Sequence, residues 1–162
     1  MYFQGKNTKN SDAIVHHSVP TTALHVPHQI HTVHAHMPKI LANDSYALYA
    51  QTRGNVSFTG SDGQRSHVAT TGTDAHAVFV TGAGSSIDLS KANVDTSGKS
   101  AQAIRATSGG SLTGDALIIK TTSDPFTSTG QLVNATSWSN GVSAEDAGTT
   151  VKLSTSSIET LG

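Results

Sequence analysis

Histidine is the residue type in this chain best placed to do chemistry, because it is concentrated in one stretch. Seven of the nine histidines lie between His16 and His36, and four recur at every third position: His25, His28, His31 and His34. Imidazole clusters bind zinc, nickel or copper. His28, His31, His34 and His36 are therefore the candidate metal ligands and zinc or nickel the ion such a cluster would take, although no cofactor is expected. The same imidazoles could instead charge together below about pH 6.5 and form a pH-sensitive head. Two backbone geometries compete here. A helix opened by Pro27 would carry Ile30, Val33, Met37 and Leu41 on one stripe and make His31 and His34 neighbours, until Pro38 kinks or ends it. An extended chain would put His34 and His36 on one face and turn His31 away. Carboxylates able to orient such ligands are scarce, only Asp12 and Asp44 in this region.

Other constellations are weaker. Eleven acidic residues are spread over 162 positions, and only Glu145 and Asp146 are adjacent. Neighbours on a strand point to opposite faces, so they do not form the paired carboxylates of glycoside hydrolysis. No Gly-x-Ser-x-Gly elbow occurs. The stretch Gly109-Gly-Ser-Leu-Thr-Gly-Asp115 has a calcium-nonapeptide flavour, but its third glycine and its aspartate are shifted, and a plain glycine turn explains it. Sequons at Asn43, Asn55 and Asn134 are expected by chance in so Thr-rich a chain. No catalytic residue is assigned, and the chain is read as a non-enzyme. A carbohydrate-active β-helix enzyme stands as the distant alternative.

The elements that must position these residues follow from composition. The chain has no cysteine, 13% charged residues and a formal net charge of −1. Disulfide scaffolds and Cys-ligated metal sites are excluded. Near-neutral charge argues against nucleic acid as a partner. Serine and threonine together number 43 of 162. Such a chain is either disordered or built of short β-segments with Gly turns. Residues 1–5 have the character of a tag remnant. Residues 6–43 form a His/Pro-rich head without glycine, and residues 44–162 a Gly/Ser/Thr-rich body.

The body repeats. Ser45-Tyr-Ala-Leu-Tyr-Ala50, Ala75-His-Ala-Val-Phe-Val80, Ala101-Gln-Ala-Ile-Arg-Ala106 and Ser139-Asn-Gly-Val-Ser-Ala144 share one small–x–small–apolar–x–small pattern. Each leads to a glycine (Gly54, Gly84, Gly110, Gly148), and those glycines are 30, 26 and 38 residues apart. Alternating strands follow at Val56 to Phe58, Ile87 to Leu89 and Val151 to Leu153. The third copy, Ser111 to Gly114, reads as degenerate. A further strand comes later in several copies, around Val94, Ile119 and Ile158. Spacing of this size means stacked supersecondary units. Period-two alternation buries one face of each strand. The expected fold is all-β: about four to six turns of short parallel strands, with the head as a non-repetitive cap over the open strand edges at one end.

The stretch Ala75-His-Ala-Val-Phe-Val-Thr-Gly-Ala-Gly-Ser-Ser-Ile-Asp-Leu-Ser-Lys-Ala-Asn-Val-Asp-Thr-Ser-Gly98 resembles the repeats of Gram-negative autotransporter passenger domains of pertactin-like style. So do residues 45–59 and 101–121. The resemblance covers about residues 45–162. It implies a right-handed parallel β-helix, a fragment of a longer exported protein, displayed at the bacterial outer membrane or secreted. It also implies a C-terminal β-barrel translocator outside this chain. The Arg-Gly-Asp attachment motif is missing: Arg53 is followed by Gly-Asn and Arg65 by Ser-His. The expected function is a virulence-associated adhesin or host-interaction module whose partner is a host protein, cell-surface or glycan ligand. A metal- or pH-responsive binding module centred on the head is the alternative. Corner insertions at residues 60–73 and 124–140 are the expected binding loops, with Phe126 and Trp138 as the candidate anchors.

Overall fold

The protein, seen in a computed structural model, is described for residues 43–61, 63–122 and 139–161, and for the backbone of five short strands before residue 43. Those strands are β1 (Phe3–Gln4), β2 (Ile14–Val15), β3 (His25–Val26), β4 (Ile30–Val33) and β5 (Lys39–Ile40). Twelve more follow: β6 (Tyr46–Ala50), β7 (Asn55–Thr59), β8 (Ser66–Thr70), β9 (His76–Thr81), β10 (Ser86–Ser90), β11 (Ala92–Thr96), β12 (Ile104–Thr107), β13 (Ser111–Asp115), β14 (Ile118–Thr122), β15 (Val142–Ala144), β16 (Thr150–Ser154) and β17 (Ser157–Leu161). No helix occurs among the described residues. Strands β1 and β2 form a small antiparallel pair.

From β3 onward every third strand pairs in parallel. The first sheet is β3-β6-β9-β12-β15, the second β4-β7-β10-β13-β16 and the third β5-β8-β11-β14-β17. The chain visits the three sheets in turn, five times, which is the strand order of a β-helix-like solenoid. The expectation of an all-β chain of stacked parallel strands holds. The head differs from its expected form: β3, β4 and β5 carry all three ladders back across residue 43. The helical alternative fails at its centre, because Ile30–Val33 is a strand in parallel register with β7.

Register turns the sequence into columns. On the second sheet Val56, Ile87, Leu112 and Val151 align, as do Phe58, Leu89, Gly114 and Leu153. On the third sheet Val68, Val94, Ile119 and Ile158 align. The inward columns merge with Leu48, Val78, Val80 and Ile104 of the first sheet into one apolar core. Each fully buried Leu, Ile or Phe there contributes roughly 1.5–3 kcal/mol. The third copy is not degenerate: β13 is a full strand, and Gly114 takes an inward place. A side chain there would meet the ends of Leu117 and Leu153, which occupy that volume instead. At the last turn the core opens, and Ile158 is 52% exposed where Ile119 is 0%.

The corners are tight and several carry non-glycine residues in the left-handed region. Between second and third sheets one left-handed residue turns the chain: Lys91, Ala116 and Thr155, with φ of 49°, 51° and 48°. In the second turn of the coil residues 60–65 take that place. The segment 60–73 is therefore not one long corner loop, since its second half is strand β8. Between first and second sheets, Thr52 and Arg53 both have positive φ (53° and 63°), and the Gly54 amide donates to the Gln51 carbonyl at 2.8 Å. That is a type I′ turn. A β-branched residue is poorly suited to it, whereas asparagine adopts αL readily. Thr52→Asn is expected to stabilise the fold by about 0.5–1 kcal/mol, read as a higher midpoint in urea with an unchanged slope.

Candidate functional site

The first sheet breaks strict alternation, and this creates the site. Ala47 and Leu48 are both buried, as are Ala77 with Val78 and Ala103 with Ile104. The strand bends inward at each pair. Tyr46 and Tyr49, three residues apart, are thereby both left partly exposed on the outer surface. Parallel register then stacks Tyr46 on His76 and Tyr49 on Phe79, with Arg105 next in the second column.

The stacked rings pack on one another. Tyr49 and Phe79 lie 5.4 Å apart and nearly parallel, at 9°; Tyr46 lies 4.7 Å from Phe79 and 5.8 Å from the His76 ring. Arg105 closes the stack with its guanidinium carbon 5.7 Å from the Phe79 centroid, a cation–π contact. The Arg105 Nη2 donates to Glu145 Oε2 at 3.1 Å, and the Ser143 hydroxyl donates to Glu145 Oε1 at 2.9 Å. The hydrogen bond from Arg105, then that from Ser143, hold the Glu145 carboxyl below its usual range. The Tyr49 phenol is pushed up by burial and then by Tyr46, and it donates to Gln51 Oε1.

His76 is the buried polar residue of this face, 5% exposed. Its Nδ1 accepts the Gln102 backbone N–H at 3.1 Å. Burial first, and the Arg105 charge second, lower its pKa from 6.5 to about 4. It is therefore neutral at pH 7, and because Nδ1 accepts, the ring proton sits on Nε2. Beside it lies a cleft of about 470 Å³ lined by Asp44, Tyr46, Asp74, His76, Ser100, Gln102 and Arg105. Asp44, Asp74 and Ser100 occupy equivalent left-handed corner positions in consecutive turns. Removing the guanidinium takes away only the second cause of the shift. Arg105→Gln should raise the His76 pKa above 4 yet leave it below 6.5, measured by NMR titration of the ring.

A second, smaller cleft of about 270 Å³ lies on the third sheet, lined in part by His67, Asp95 and Lys120. There His67 Nε2 and Asp95 Oδ2 are 2.5 Å apart. No hydroxyl bonds to that imidazole among the described residues.

Of the segments singled out from sequence, 60–73 contributes His67, Ala69, Thr70 and Thr71 to the second cleft. Phe126 and Trp138, with the expected 124–140 loop around them, lie outside the described residues. His28, His34 and His36 do as well. His31 belongs to β4 and pairs with Val56, so it stands at the head of a column whose other members form the core. Among the described residues no three His, Cys, Asp or Glu side chains gather to hold a metal. Of the residues that do gather, Asp44 was noted only as a carboxylate beside the head, and His76, Arg105 and Asp74 were missed. Their signal was present: laid under one another, the four small–x–small segments already align Tyr46 with His76 and Gln102, and Tyr49 with Phe79 and Arg105. No family model, curated protein or solved structure matches this chain.

Proposed function

We propose that this chain is a non-enzymatic passenger domain, displayed on a bacterial surface or secreted, which acts as an adhesin or host-interaction module. In this reading the coil is a right-handed parallel β-helix, the hand that parallel crossover connections take in nearly all proteins. Strands β3, β4 and β5 supply its first turn. The observation that carries the reading is the uninterrupted register of three five-stranded parallel sheets. Such a stack is a rigid rod whose outward side chains are held in columns, suited to presenting a surface rather than to moving reactants. The polar cleft on its first sheet supports contact with a host protein, cell-surface or glycan ligand. Its own translocating barrel would be a separate segment. Fusion behind an export leader and ahead of an outer-membrane β-barrel tests this. The chain should reach the outer surface and be shaved from intact Gram-negative cells by added protease. Retention in the periplasm, folded and protected, would overturn the reading.

A further inference from the structure

The His76 cleft holds polar groups that the fold itself leaves unmatched. Because the Gln102 amide donates to His76 Nδ1, the Nε2 bears hydrogen. Arginine is likewise only a donor. Yet Arg105 Nη1 stands 3.3 Å from that Nε2. Two N–H donors thus face each other with no acceptor between them. Arg105 Nε and Gln102 Oε1 are also buried without a partner. On the rim, no ion pair or hydrogen bond engages the carboxylate of Asp44 or Asp74 among the described residues. Unmatched donors on one side and unmatched acceptors on the other call for a ligand that supplies both.

We infer that the cleft binds a saccharide, which deepens the adhesin reading and rests on it. A sugar hydroxyl accepts from the His76 and Arg105 N–H groups through its oxygen while donating its own hydrogen to a carboxylate. A simple anion would match the donors but meet Asp44 and Asp74. A metal ion would match those two carboxylates but meet a guanidinium. The three corner residues Asp44, Asp74 and Ser100 span two inter-turn steps, roughly 10 Å at the usual spacing of parallel strands. That is the length of a disaccharide laid along the coil axis. The Phe79 ring stacks on Tyr49 and carries Arg105, and the Tyr46 ring that lines the cleft stacks with Tyr49 and His76, so recognition here runs through hydrogen bonds and ring edges rather than through an open aromatic platform.

The test is proton–nitrogen NMR of the labelled His76 ring in the full chain, titrated separately with lactose, maltose, cellobiose and diacetylchitobiose. Acetate, sulfate and glycine serve as competing probes. At least one disaccharide should shift the Nε2–H signal saturably. Asp74→Asn, which keeps a residue suited to αL, and Arg105→Gln should each weaken that binding about tenfold, the loss of roughly one charged hydrogen bond. Asp88→Asn, on the exposed face of the second sheet, should leave it unchanged. The inference is overturned if no disaccharide shifts the signal, if acetate, sulfate or glycine displaces the sugar or gives the same shift, or if Arg105→Gln binds as well as the parent. Failure here with successful surface display would remove the saccharide and leave the passenger reading in place.

Discussion

A Gly98→Ala chain is expected to lose about 3–4 kcal/mol of stability, at the upper end of overpacking costs. Its thermal midpoint should fall by roughly 10 °C for a chain of this size. The cause is the close approach of two corners between the third and first sheets. A Cβ at Gly98 would stand 1.8 Å from the Gly72 carbonyl oxygen and 2.6 Å from its carbon. Backbone cannot rotate aside as a side chain can. The two turns would have to separate, and the ladder on both sides of the corner would stretch with them. Gly114→Ala is the control. Its Cβ would come within 2.6 Å of Leu117 Cδ1 and Leu153 Cδ2. Those are ends of flexible side chains, so the expected loss is nearer 1 kcal/mol. Thermal melts followed by far-UV circular dichroism decide between them; equal losses for the two variants would refute the backbone argument.

The second large effect is acid sensitivity between pH 6.5 and 4. His76 stays neutral in the fold down to about pH 4, whereas the unfolded chain takes up that proton from about 6.5. The unfolded state therefore binds more protons in this window, and stability falls as pH falls. It is full above 6.5 and levels off below 4. At about 1.4 kcal/mol per pKa unit the loss comes to about 3–4 kcal/mol. Glu145, whose carboxyl is lowered by Arg105 and Ser143, gives up its contribution at more acidic pH, below the ordinary carboxylate range. Urea unfolding at pH 7, 5.5 and 4 measures the slope. His76→Gln, which can still accept the Gln102 amide, should flatten the step. A profile equally steep in that variant would assign the acid loss to other groups.

Much of the coil was legible. The small–x–small segments became strands β6, β9, β12 and β15, and the Val56, Ile87 and Val151 runs became strands of the second sheet, because alternation survives wherever one face is buried. Strand β8 was hidden because residues 60–65 replace a one-residue corner and shift the repeat out of phase. Strand β13 looked degenerate because an inward glycine breaks the apolar pattern, and only packing shows that Leu117 and Leu153 fill the gap. The head misled through composition: Ile30 and Val33 suit a helix stripe as readily as a strand, and it is pairing with β7 that decides. The His76 cleft could not be read from any one repeat. Its residues come from three turns, and their chemistry arises only when the turns are laid on one another.

The ladders have one more consequence. Every strand from β6 to β14 is bonded to one strand before it and one after it in its sheet, and those bonds run along the coil axis rather than across it. Tension applied between the two ends therefore loads a single terminal turn at a time, as in a zip. The rod would pay out length in small steps near its ends while its middle keeps its shape. A domain that tethers one surface to another would in this way absorb a pull gradually and recover turn by turn once the force is released.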